Sequence, residues 1–164
     1  MGKFFERLYD ELSLYVRQRA WLSTAPEKPP HDKSNTPQHS RIERLRTDHK
    51  DVDYEPDMPQ IDAPHIIGYL YEIGPTMSTG MGLTPISFEE ILAWQSLTGI
   101  ELDPWETRIL RRLSYDYLSE SHKAEKADYP APWQPADLTQ ETRDAISKKV
   151  QNSLRSLMLV KNTP

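Results

Sequence analysis

The sequence predicts an all-α protein, and three observations predict it. Apolar residues recur at three- and four-residue spacings, the period of a helix. Helix start and stop residues stand at the ends of those segments. No stretch alternates with period two over the length of a strand. The 164 residues suit one domain plus tails. Hydrophobic residues make up 37 %, below the roughly 45–50 % of an average domain, so part of the chain is expected outside any core.

The elements follow in order. Residues 3–23 place Phe5, Leu8, Leu12, Val16 and Arg19 on one helical stripe, widened by Phe4, Tyr9 and Tyr15. Residues 25–60 hold six prolines, three histidines and fourteen charges. Their strongly apolar side chains are Ile42, Leu45, Val52, Tyr54 and Met58, too few to offset about 1–2 kcal/mol per residue of backbone ordering. A disordered linker is expected there, with residues 40–48 as its one candidate helix. Asp62 ahead of Pro64 predicts the cap of a helix over 65–73, which Gly74-Pro75 ends, and a Gly-rich loop follows over 74–82. Ser87-Phe88-Glu89-Glu90 reads as a capping box opening a helix to Thr98, where Gly99 terminates it in the left-handed conformation.

Asp103-Pro104-Trp105-Glu106 opens the next helix with a capping Asp, a first-turn Pro and an acid at the third position. One face of that helix is Trp105, Ile109, Leu110, Leu113 and Tyr117, and it is expected to fray near Ala127. The Gly99 turn should fold Ile91, Trp94 and Leu97 against Trp105, Ile109 and Leu113. Residues 128–135, with three prolines and Trp133, predict an extended connector, and a last helix over 139–160 aligns Ile146, Val150, Leu154, Leu157 and Met158. The expected divisions are an N-terminal amphipathic helix at 1–24, the linker at 25–60, a helical domain at 61–127, and the connector with a C-terminal helix at 128–164.

Charge and composition narrow the chemistry. The net charge is −5, and residues 61–127 alone carry −5, which argues against a basic nucleic-acid footprint. With no cysteine there is no disulfide framework, thiolate metal site or cysteine nucleophile. The N-terminus gains charge at once and lacks a signal-peptide apolar stretch, and no apolar run is long enough to span a bilayer, so a soluble cytoplasmic protein is expected. The Gly-rich loop is not a phosphate cradle, because no Lys or Arg stands between residues 51 and 107. His31, His39 and His49 are eight and ten residues apart, unlike paired zinc ligands. The carboxylate pairs Glu89/Glu90, Glu101/Asp103 and Asp103/Glu106 are explained as capping and first-turn residues. No catalytic, cofactor or metal site is expected, and the chain is read as a non-enzyme. A helix-turn-helix is conceivable, with Arg108, Arg111 and Arg112 on the second helix, but the turn that would enter a groove is acidic.

An ordered set of landmarks runs from Ile66 to Leu118. They are Tyr69-Leu70-Tyr71-Glu72-Ile73, a Gly-containing loop, Leu83-Thr84-Pro85-Ile86-Ser87, Ala93-Trp94, Leu97-Thr98-Gly99, Asp103-Pro104-Trp105-Glu106 and Leu113 with Tyr117-Leu118. This order resembles the tail assembly chaperone family of long-tailed bacteriophages. The family tends to use Trp where Tyr69 and Tyr71 stand, and often Asp in place of Ser114. The resemblance implies a non-enzymatic chaperone that binds the tape-measure protein and helps recruit tail-tube subunits, in the host bacterial cytoplasm and not in the mature virion. Tyr69, Tyr71, Trp94, Trp105 and Trp133 are the candidate partner-binding residues, with Trp94 and Trp105 favoured as core and Trp133 as outward. The alternatives are a virion structural or adaptor protein and a helix-turn-helix DNA-binding regulator.

Overall fold

The computed structural model describes residues 2–32, 34 and 36–135. Along them the chain forms α1 (Lys3–Ser23), α2 (Arg41–His49), α3 (Pro64–Ile73), an antiparallel hairpin of β1 (Met77–Thr79) and β2 (Gly82–Thr84), α4 (Phe88–Thr98) and α5 (Pro104–Ala124). Two compact units divide the chain, Met1–Trp133 and Gln134–Pro164, and every described helix and strand lies in the first. The helix expected over 139–160 lies outside the described residues.

The long helices α1 and α5 run side by side in the same direction. Phe5 meets Trp105, Tyr9 meets Asp116, Arg17 meets Glu120, and Trp21 reaches Tyr129 just past α5, so contacts advance together along both. Their stripes, Leu8, Leu12 and Val16 against Ile109, Leu110 and Leu113, are buried in one core with Ala63, Ile66, Ile67 and Leu70 of the α3 region and Ile86 and Ile91. Helix α3 is parallel to α5 as well, since His65 faces Glu106 at its start and Tyr71 faces Tyr117 at its end. Helix α4 returns antiparallel to α5 through the Gly99 turn.

The helix punctuation read from the sequence holds at α4 and α5. The Ser87 hydroxyl accepts from the Glu90 amide at 3.2 Å, Gly99 ends α4 at φ 72°, and the Asp103 amide donates to Glu106 at 2.8 Å. Only half of the Ser87 box forms, because no bond returns from Glu90. Asp62 does not cap α3: the cap position is Ala63, and Asp62 instead accepts from Arg7 at 3.4 Å.

Three further expectations need correction. The fold is predominantly helical, but the Gly-rich loop is a β-hairpin, turned by Gly80-Met81 between paired Thr79 and Gly82. Its three-residue strands are too short to display an alternation. The second correction concerns the linker expected over 25–60: its candidate helix at 40–48 forms as α2, and described residues around it, such as Glu55 paired with Arg19, are tied to α1. Polar bonds organise the segment where apolar burial does not. The Ser40 amide donates to Glu43 at 2.7 Å, and Lys50 closes α2 in the left-handed region at φ 55°. Leu97 is the third correction. It is 87 % exposed, because the turn of α4 that packs on its neighbours presents Ile91 and Trp94.

Candidate partner-binding surface

The five aromatic candidates divide by depth. Trp94 is buried, and its ring lies 5.0 Å from that of Tyr69, which is half-buried and stands 5.7 Å from His65. Trp105 is half-buried and tilted against Phe5 at 5.1 Å. Tyr71 meets Tyr117 edge-on at 6.3 Å and keeps 37 % of its surface in water. These four bridge α3, α4, α5 and the start of α1, so they join elements more than they form one external face. Trp133 lies apart from them, half-buried, with its amide donating to Gln18 Oε1 at 3.1 Å. That bond is made by the backbone and not by the indole, and the residue keeps part of its surface in water.

Other apolar side chains meet solvent. Met81 and Leu83 of the hairpin and Phe88, Leu92 and Leu97 of α4 are all exposed. Periodicity alone did not mark them, since each also fits a helical or turn pattern. Isolated exposed apolar residues are ordinary on a protein surface, but five within seventeen residues are a concentration.

Beside them, α1, α4 and α5 enclose a groove of two adjoining cavities. One, of about 410 Å³, is lined by Pro85, Phe88, Arg108, Arg111 and Tyr115 among others, and the second, of about 390 Å³, by Phe5, Glu6, Asp10 and Ile109. Tyr9, Arg108 and Arg112 border both. The Arg112 guanidinium lies 3.7 Å from the Tyr9 ring centre, and that of Arg111 lies 5.1 Å from Phe88. The Tyr9 and Ser13 hydroxyls both donate to Asp116 Oδ2, at 2.5 and 2.8 Å. Burial, followed by the Asp116 carboxylate, holds the Tyr9 phenol above its ordinary pKa.

No cluster of three or more His, Asp or Glu able to hold a metal occurs among the described residues. His49 stacks on Tyr54 at 3.8 Å, and His39 faces Glu43 at 3.7 Å. Among the described residues, no helix is long and apolar enough to cross a membrane. What the surface offers is apolar contact and cationic forks, which is recognition chemistry.

The comparison with protein families fits that character. Residues 42–119 match the phage tail assembly chaperone family. The matched segment is just under half of the chain. It begins inside α2, within the stretch that composition set aside, and ends in the last turns of α5. All of α3, the hairpin and α4 therefore lie within the matched segment, while α1 lies before it. Neither a curated protein nor a solved structure matches the chain.

Proposed function

We propose that this chain acts as a phage tail assembly chaperone that holds the tape-measure protein soluble and helps bring tail-tube subunits to it. The match of residues 42–119 carries the reading. The concentration of exposed apolar side chains on the hairpin and α4 supports it, because an amphipathic helical client needs an apolar surface to lie on. The role is non-enzymatic, requires no cofactor, and belongs in the host bacterial cytoplasm during assembly. Of the aromatic candidates, Tyr71 is the most exposed, and its ring packs edge-on against Tyr117.

Co-expression with the tape-measure protein tests the reading. The client should move from the insoluble to the soluble fraction and co-purify with this chain. Replacing Leu92 and Leu97 by Ser should reverse both effects while the helical spectrum stays unchanged. Mass spectrometry of purified virions should not detect the chain. A stoichiometric presence there would favour a structural or adaptor protein instead.

A further inference from the structure

The groove between α1 and α5 has a chemistry that the apolar hairpin and α4 surface do not share. Arg108, Arg111 and Arg112 stand on an exposed face of a chain whose net charge is −5, and none of the three forms an ion pair among the described residues. Two of them are already oriented. Arg112 lies over Tyr9 and Arg111 over Phe88, stacking that limits the rotamers a flexible guanidinium would otherwise lose on binding. Tyr9 is itself fixed by its bond to Asp116. A guanidinium presents paired N–H donors that match a carboxylate.

We propose that this groove binds an acidic, amphipathic helical segment of another protein. Arg108 stands one helical turn before both Arg111 and Arg112, so the three guanidinium groups together flank carboxylates spaced at positions i and i+4 on a partner helix. The walls of Phe88, Pro85 and Tyr115 then receive the apolar side chains between those carboxylates. A polyanion of uniform charge fits less well, because Glu6, Asp10 and Asp116 border the same two cavities and would repel a phosphate backbone. A short helix can place its carboxylates at the arginines and keep apolar or neutral groups opposite those acids. The groove shares Phe88 with the surface invoked for the tape-measure protein, but the variants that test the two, at Arg108 and Arg111 here and at Leu92 and Leu97 there, do not overlap, so either can fail without the other.

The test uses the full chain and a synthetic amphipathic helical peptide with Glu at i and i+4 flanked by Leu and Phe. Its Glu→Gln counterpart and a short DNA duplex serve as competitors, with fluorescence anisotropy as the readout. The acidic peptide should bind, and the Gln peptide should bind about tenfold more weakly or worse, the scale of losing a charged hydrogen bond. Arg108→Gln and Arg111→Gln, which leave the Tyr9 stack in place, should each weaken the acidic peptide by a similar factor at unchanged thermal midpoint. Equal affinity for the Gln peptide would overturn the proposal. So would tighter binding of the duplex that the same variants abolish, which would make the groove a nucleic-acid site. Sedimentation of the chain alone is the remaining arm. A dimer that Arg108→Gln and Arg111→Gln dissociate would show a second copy as the occupant and also overturn it.

Discussion

The Arg41 guanidinium donates to the Ala124 carbonyl at 2.8 Å, so the first residue of α2 caps the last residue of α5. The same group reaches Lys126 O at 3.0 Å and the Trp21 and Thr24 carbonyls at 3.3 Å, and it lies 4.5 Å from the Trp21 ring centre. Helices α1 and α5 are parallel, so their C-terminal ends, each carrying partial negative charge, come together. Arg41 is only 8 % exposed and has no carboxylate partner among the described residues. Two helix ends and four carbonyls take that role. Burial holds its pKa below the ordinary guanidinium value, which still leaves it charged at neutral pH.

Arg41→Met should therefore destabilise the protein by about 2–4 kcal/mol, because the carbonyls lose a charged donor in a buried place. Arg41→Lys should recover little, since one ammonium cannot span carbonyls from both helix ends. Urea unfolding reads both. A midpoint unchanged in Arg41→Met would mean that α2 is dispensable to the fold.

The α4 and α5 pair predicts graded costs. Trp94→Ala should lose about 3–5 kcal/mol, as expected for a buried large aromatic. Trp105→Ala should lose less, about 1–2 kcal/mol, because part of its ring already meets water. Leu97→Ala should stay within about 0.5 kcal/mol. Thermal midpoints of the three variants should fall in that order, and a large effect at Leu97 would contradict its exposure.

What the sequence made legible was local. Ser87, Gly99 and Asp103-Pro104 bound α4 and α5 through bonds to residues a few positions away, and such bonds leave a spacing that can be read. The stripes of α1 and α5 were legible for the same reason. Arg41 was not, because its closest partner stands 83 residues away and is a backbone carbonyl, which any residue type supplies. Leu97 misled because a helical stripe of apolar residues does not say how much of its width a short neighbour will cover. The cationic groove was half legible. The arginines at i, i+3 and i+4 were visible, but the aromatic rings that orient them come from α1 and the start of α4.

Gly99 sits at φ 72°, and a Cβ built there would meet no atom within 4 Å. Any penalty is then backbone strain alone. Gly99→Val should cost about 1–2 kcal/mol and Gly99→Asn clearly less, since Asn tolerates the left-handed region. Equal losses in both would point to a contact and not to φ.

Acid should loosen the strap that follows α2. Glu55 accepts from Arg19 at 2.7 Å and pairs with Arg46, tying residues after α2 back to α1. The Arg19 bond, aided by Arg46, holds the Glu55 carboxyl below its ordinary value. A depressed folded pKa contributes stability above the unfolded value, lost as pH falls through the folded one. Glu55→Gln should thus lower the urea midpoint at neutral pH, and the gap to the parent should close as pH drops below about 4, where a free Glu protonates. A gap that persists in acid would show that the carboxylate charge is irrelevant.

Ser114 joins α5 to the hairpin. Its side chain is fully buried on α5, accepts from the Ile86 amide at 2.9 Å and donates to the Pro75 carbonyl at 2.7 Å. Those two residues flank the hairpin, so one hydroxyl pins both of its ends to α5. Ser114→Ala should cost roughly 1–3 kcal/mol by leaving these groups unpaired, and hairpin amides should exchange faster. Ser114→Asp should be worse at neutral pH. An ionised carboxylate accepts from Ile86 but cannot donate to Pro75, and it places a charge where no cation pairs with it among the described residues. Mild acid should then stabilise Ser114→Asp relative to Ser114→Ala, because the protonated carboxyl regains a donor for Pro75. If Ser114→Asp instead matches the parent at neutral pH with hairpin protection intact, the hydroxyl is not what holds the hairpin, and the packing of Ile86 alone fixes it.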